Sequence, residues 1–355
     1  MIQPRLNINF GIKRQFSFVF GKEYTPQKNE FLLNFARSGI VMALRATLPN
    51  GGRVGVVAYN CYTVANAVKQ ARCDVEFIDI TEDLQIDISS LQGKQLDAIV
   101  VTNLFGIRND ITAIRVALPD TIIIVDNAHG YGLPCEGDFT VYSINQGKFP
   151  SVGEGGVLFV NNQQYQSEIR KQYERLPQYS RSKELKLFCT MTIKAWLHTP
   201  IVYTILTKRL KARRKVGDIR EVTPLRKMAY GVRRMYNAIL PCVEKQITQQ
   251  CVQAEAIRKA LSTIEGVTDI HIGGNAFMVV VRCTEPRVIQ QWFAQRGVET
   301  ATHFENAILW AKQFGYKDGS CPIAEKFTKE LIMIPTYKKS MRYEYLDRYI
   351  AHPTV

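Results

Sequence analysis

The sequence predicts an α/β protein built on an open, mostly parallel central sheet with flanking helices, and two features predict it. Short, nearly unbroken apolar runs at 98–101 and 121–125 suit parallel strands covered on both faces. These and shorter runs alternate with stretches whose apolar residues recur at helical spacing, the pattern of βαβ units. In such sheets ligands sit beyond the carboxyl ends of the strands. The residues that follow each run are therefore the first candidates for a site. With 355 residues, 46% hydrophobic and 22% charged, the chain can bury a sizeable core and form two domains.

The elements follow in order. A mixed polar and aromatic lead-in runs to about Glu30. Ser38-Gly39 then precedes Ile40, Val41, Met42, Ala43 and Leu44, which predicts a turn opening a helix at Ser38. A helix start of this kind presents unpaired N–H groups and binds phosphate; a plain N-cap is the simpler alternative. Arg53–Val57 reads as a buried strand, and Tyr59 to Val68 as a turn entering a helix. Val75–Ile80 is the next strand, with a polar turn from Asp83 to Asp87. Ala98–Thr102 is a strand that leaves through Asn103-Leu104-Phe105-Gly106. The run from Thr121 ends on Asp126, with His129 three residues later. Asp138 precedes a further strand, Phe139–Ser143. Ser143-Ile144-Asn145-Gln146-Gly147-Lys148-Phe149-Pro150-Ser151-Val152-Gly153-Glu154-Gly155-Gly156 then sets a lysine between a hydroxyl and a glycine cluster, and Val157–Val160 reads as a strand. A lysine buried in such a turn loses its proton easily and becomes a nucleophile able to form a Schiff base.

Ser143-x-x-x-x-Lys148 with Gly153-Glu154-Gly155-Gly156, Asp126-x-Ala128-His129-x-x-Gly132 and Ser38-Gly39, in this order, resemble the DegT/DnrJ/EryC1/StrS family of sugar aminotransferases, pyridoxal 5'-phosphate (PLP) enzymes of fold type I. The resemblance implies that Lys148 is catalytic and carries PLP. It implies that Asp126 pairs with the ring nitrogen, that His129 lies beside the ring, and that Ser143, Ser38 and Gly39 hold the phosphate. Ile40 stands where the family has threonine. Cys61 stands where it has a ring-stacking aromatic, so Tyr59 or Tyr62 is the alternative stacking residue. Val232, in Tyr230-Gly231-Val232-Arg233-Arg234-Met235, replaces an asparagine that reaches the partner subunit, with Arg233 or Arg234 as its substitute. Related 3-dehydratases carry histidine in place of the lysine, which Lys148 argues against.

The second half is similar to the family's smaller C-terminal α+β domain. Val243, Ile247, Cys251, Ala254, Ile257 and Leu261 mark a helix. Ala276–Val281 reads as a strand and Pro286–Gln295 as a helix. Cys321-Pro322-Ile323-Ala324-Glu325 and Leu331–Pro335 match the closing motifs. The division expected is a PLP-binding domain over 1–235 and a small domain over 236–355. His303 is a candidate substrate contact or a structural residue.

Between about 183 and 226 the chain departs from the family. Apolar residues from Leu185 to Leu206 are broken at His198-Thr199-Pro200, and Lys208, Arg209, Lys211, Arg213, Arg214 and Lys215 follow. The stretch is too interrupted for a spanning helix, which needs ~20 mainly apolar residues. It predicts either a helical excursion packed on the enzyme or its dimer partner, with a solvated basic end, or a peripheral contact with an anionic membrane through 185–215.

The net charge of +14 suits anionic, diphosphate-bearing substrates. No nucleic-acid motif accompanies it. The eight cysteines are scattered without Cys-x-x-Cys spacing, so neither a metal site nor a disulfide framework is expected. The first residues lack a signal peptide's apolar core, and a reducing cytoplasm, with a peripheral inner-membrane location as a variant, is the expected compartment. The expected reaction moves an amino group from an amino acid, by analogy glutamate, to a nucleotide-linked keto-sugar in surface-polysaccharide assembly, in a homodimer. A non-catalytic PLP-binding sensor or scaffold, and an aminotransferase for a non-sugar ketone, are the alternatives.

Overall fold

The computed structural model describes residues 10–209, 223–262 and 264–336. In chain order its strands are β1 (Glu30–Leu33), β2 (Arg53–Val57), β3 (Asp74–Ile78), β4 (Ala98–Thr102), β5 (Ile122–Asn127), β6 (Phe139–Ser143), β7 (Gly156–Val160), β8 (Val267–Ile272), β9 (Met278–Cys283) and β10 (Leu331–Pro335). Its α-helices are α1 (Ile12–Phe20), α2 (Ala36–Thr47), α3 (Tyr62–Gln70), α4 (Ile111–Ala117), α5 (Gln166–Glu174), α6 (Arg181–Leu197), α7 (Pro200–Arg209), α8 (Tyr230–Ile239), α9 (Val243–Leu261), α10 (Pro286–Gln295), α11 (Ala307–Lys312) and α12 (Pro322–Glu330).

The first seven strands form one sheet in the order β1-β7-β6-β5-β4-β2-β3. Strands β3, β2, β4, β5 and β6 run parallel, and β7 and β1 close one edge antiparallel. Alternation along β4 and β5 explains why these runs are apolar throughout. Val100 and Ile124 face a core shared with α2 and α3. Ile99, Val101, Ile123 and Val125 face the opposite core, which reaches Phe277, Val280 and Phe327 of the C-terminal part. Both faces are thus covered, as a parallel sheet requires. The fold is α/β with a large, mostly parallel sheet and a smaller second sheet, in the order β10-β9-β8, all antiparallel. Helices α9 and α10 cover one face of the second sheet through Ile257, Leu261, Ile289 and Phe293.

Several boundaries differ from the sequence expectation. The helix expected at Ser38 begins at Ala36, with Phe35 as its extended N-cap. The reason is visible in the side chain: the Ser38 hydroxyl donates to Asn34 Oδ1 at 2.8 Å and does not cap. The strand expected from Ala276 begins at Met278, because Ala276 sits in a turn at φ 49°. The excursion is helical, as α6 and α7, broken at His198-Thr199. Lys211, Arg213, Arg214 and Lys215 lie outside the described residues. Helix α8 packs on α1 and its own core, whereas α9 packs on β8 and β9, so the chain changes cores at the turn Leu240–Cys242.

Candidate active site

Three neighbouring parallel strands deliver the site. Asp126, near the end of β5, pairs in register with Thr102 of β4 and Val141 of β6. It is buried, and its carboxylate accepts the Ala128 N–H at 3.0 Å. Burial pushes this carboxyl above its usual range, and the Ala128 N–H pulls it partly back. Ser143 ends β6 and is buried. The chain then turns so that the Lys148 N–H bonds the Asn145 carbonyl at 3.1 Å. Gly147 supplies the left-handed residue of that turn, at φ 75°.

Half-buried Lys148 and buried His129 form a pair, with Nζ 2.5 Å from Nε2. The protonation of both follows from the partner on the other side of the ring. The Phe105 N–H donates to His129 Nδ1 at 3.3 Å, so Nδ1 is unprotonated and the neutral ring holds its proton on Nε2. That Nε2–H points at Lys148 Nζ, which accepts it only as an uncharged amine. Burial acts in the same sense on both groups. It lowers the Lys148 amine below its ordinary range and holds His129 well below its own. Phe105 stacks on His129 at 5.3 Å and 13°, and His303 stands edge-on at 5.5 Å. Asn275, from the turn before β9, donates to the carbonyls of His129 and Tyr131 at 2.9 and 3.2 Å.

Lys148, Asp126, His129, Ser143, Cys61 and Ile40 all line one cavity of about 220 Å³, together with Ala36, Arg37, Asn145 and Phe304. Sequence reading brought these first six together. It missed Ala36, Arg37, Asn145, Phe105 and Asn275, whose only signal was their nearness to recognised motifs. Ser38 and Gly39 do not line the cavity. They lie one residue deeper in α2, where a Cβ on Gly39 would stand 2.8 Å from Val141 Cγ1, so Gly39 lets the helix press on the sheet. The helix start that faces the cavity is Ala36-Arg37 instead. Tyr62 borders an outer cleft and packs edge-on against Trp310. Tyr59 is enclosed by Phe105, Phe304 and Phe327 away from the cavity. Val232 is buried in α8. Arg233 and Arg234 are occupied locally, pairing with Glu23 at 3.5 and 3.4 Å while Arg234 also holds the Val19 carbonyl of α1.

The outer cleft, about 660 Å³, adjoins the cavity and shares Phe35, Arg37, Thr63 and Asn145 with it. Lys183, Lys186 and Lys194 of α6 border it. Glu154, its carboxyl raised by burial, bonds the Tyr179 hydroxyl there.

The cavity lining combines a buried carboxylate, an amine beside an imidazole, a serine hydroxyl and a helix start. A phosphorylated heteroaromatic aldehyde such as PLP fits this set. The helix start and Ser143 suit the phosphate, Asp126 a protonated ring nitrogen, and Lys148 the aldehyde.

The sequence profile of the DegT/DnrJ/EryC1/StrS aminotransferase family matches residues 14–187. No curated protein matches the chain in sequence. Among solved structures, the sugar aminotransferase CalS13 from Micromonospora echinospora aligns over 99% of this chain and 100% of its own, at 13% identity and a TM-score of 0.71. DesI in the presence of its TDP-sugar product aligns over 91% and 79%, at 16% identity and 0.68. The E. coli GDP-4-keto-6-deoxy-D-mannose-3-dehydratase with bound hydrated PLP aligns over 95% and 89%, at 16% identity and 0.66. At these identities the likeness is one of fold.

Proposed function

Through its residues 14–187 the chain belongs to the DegT/DnrJ/EryC1/StrS family of PLP-dependent aminotransferases, and on that premise we propose that it transfers an amino group from glutamate to a nucleotide-linked keto-sugar. The observation that carries this reading is the Lys148 amine held 2.5 Å from His129 Nε2 in the cavity that also contains Asp126. PLP, when bound, supplies an electrophilic aldehyde and a ring that accepts the electron pair released at the substrate carbon. Lys148 would hold the aldehyde and, once displaced by the amino donor, carry the proton as base and then as acid. Asp126 would keep the ring nitrogen protonated, and its burial concentrates that interaction in a low-dielectric site. His129 keeps the amine aimed inward. Ser143 and the N–H groups at Ala36 and Arg37 would take the phosphate. The outer cleft, with Arg37 and three lysines on its border, suits an anionic diphosphate sugar, and structural neighbours of this fold include one solved with a TDP-sugar product. A homodimer is part of the proposal.

The test uses the purified chain with added PLP. Borohydride reduction followed by peptide mass analysis fixes the cofactor on Lys148. Lys148→Ala abolishes the adduct and lowers turnover by ~10³-fold or more. Glutamate discharges the cofactor's absorbance band, and a panel of nucleotide-linked keto-sugars then yields 2-oxoglutarate with at least one member. A band on Lys148 that no amine donor discharges identifies a PLP-binding sensor and refutes the reaction.

A further inference from the structure

We propose that helices α1, α6 and α7 form a docking face for an anionic lipid surface. Most large apolar side chains left exposed on the described residues lie on these three helices. On α1, Ile12, Phe16 and Phe20 are 85%, 63% and 72% exposed and follow one another every fourth residue. On α6, Leu185, Ile193 and Trp196 are 64%, 57% and 62% exposed and share one stripe with the exposed Cys189. Ile201 and Ile205 continue the pattern on α7. These are not ragged edges of the core. The inward sides of α1 and α6 are already satisfied, since Phe188 packs against Phe10 and Phe18 at 5.5 and 5.4 Å and Met191 is buried. Both helices therefore carry a second apolar stripe turned to solvent, and exposed patches of this kind mark interaction sites.

Charge selects the partner. Of the described side chains, α1 and α6 carry six lysines and arginines against a single carboxylate, Glu184. A second copy of the chain, meeting the same face across a two-fold axis, would oppose like charges. An anionic headgroup layer neutralises them, while the apolar stripes enter the acyl boundary beneath it. Trp196 suits the headgroup level, where its ring is apolar and its N–H stays wet. Among the described residues no helix is long and apolar enough to cross a membrane, so the mode is lying on the surface. Lys183, Lys186 and Lys194 also border the outer cleft, so the face shares these three cations with the proposed substrate site; the vesicle test uses no substrate and alters none of them, so its failure and that of the reaction are separable.

Sedimentation of the full chain with sonicated vesicles tests it, using phosphatidylcholine alone and phosphatidylcholine mixed with phosphatidylglycerol. Binding is expected to the mixed vesicles, to weaken with added salt, and to be near absent on phosphatidylcholine. Ile193→Glu with Trp196→Glu should abolish it, and Lys13→Glu with Arg181→Glu should weaken it by roughly tenfold or more. The positions are exposed, so far-UV circular dichroism and PLP content should stay as in the parent. Brominated lipid should quench parent fluorescence more than that of Trp196→Phe. Failure to bind mixed vesicles overturns the proposal, as does binding that ignores these substitutions or is equal on both vesicle types. A drop in oligomeric mass on Ile193→Glu, with no vesicle binding by the parent, would assign the face to self-association instead.

Discussion

The reactive centre depends on two side chains whose charged forms burial disfavours, and its pH behaviour follows from that. Folded His129 is held well below 6.5 by burial, while in the unfolded chain it titrates near 6.5. Below that pH the unfolded state takes up a proton that the folded state refuses, so stability falls as pH drops through 6.5, by at most ~1.4 kcal/mol per pH unit for one site. Lys148 acts in the same sense at higher pH: between its lowered folded value and 10.5 the unfolded chain holds the extra proton, and stability rises with pH across that window. In the PLP-free protein, His129→Asn is expected to flatten the acid-side slope of the urea midpoint against pH. An unchanged slope would mean that His129 is protonated in the fold. Asp126 bears on the cofactor instead. Asp126→Asn keeps the shape and removes the charge that would hold a proton on the ring nitrogen. Stopped-flow discharge of the PLP band by glutamate should slow by roughly 10²–10³-fold, with the borohydride-trapped link to Lys148 intact.

At the scale of elements, the cavity exists because α2 begins hard against the sheet. A Cβ on Gly156 would lie 2.2 Å from Ala36 N and Phe35 C, both backbone atoms that cannot rotate away. Gly156→Ala is therefore expected to destabilise by about 3 kcal/mol or more in urea unfolding and to weaken PLP affinity by pushing the helix start from the rim. Addition of phosphate should rescue neither effect. The strand runs were legible because β4 and β5 are buried on both sides and so are apolar at every position. Asp126, His129, Ser143 and Lys148 were legible because they stand, in order, in motifs after β5 and β6 that resemble those of the family. The start of α2 was not, since the side chain expected to cap it, Ser38, bonds Asn34 instead, and the residue that does begin the helix follows Phe35, which offers no capping oxygen. Strand β1 was missed because it is four residues long and pairs with β7, a partner distant in sequence. Strand β8 was missed because it is half exposed and carries no apolar run.

Across the whole molecule, two buried side chains tie the C-terminal part to the large sheet, and only one of them touches the site. Asp79, beyond the end of β3, accepts the N–H groups of Ile323 and Ala324 at the start of α12, at 3.0 and 2.9 Å. Asn275 crosses in the other direction to the His129 and Tyr131 carbonyls. Nothing in the sequence joins Asn275 to His129, 146 residues apart, because the link is a backbone carbonyl that any residue would present. Both ties are buried hydrogen bonds, so Asp79→Ala and Asn275→Ala should each lower stability by about 1–3 kcal/mol. They should part company in function. Loss of Asn275 frees the loop that aims His129 at Lys148, so the rate at which PLP becomes borohydride-trappable on Lys148 should fall several-fold and its pH dependence should move toward that of an ordinary lysine. Loss of Asp79 should leave that rate and profile unchanged at denaturant concentrations where both variants are fully folded. Equal slowing in the two variants would show that the small sheet supports the site only through global stability, and the direct line from Asn275 to the reacting amine would be withdrawn.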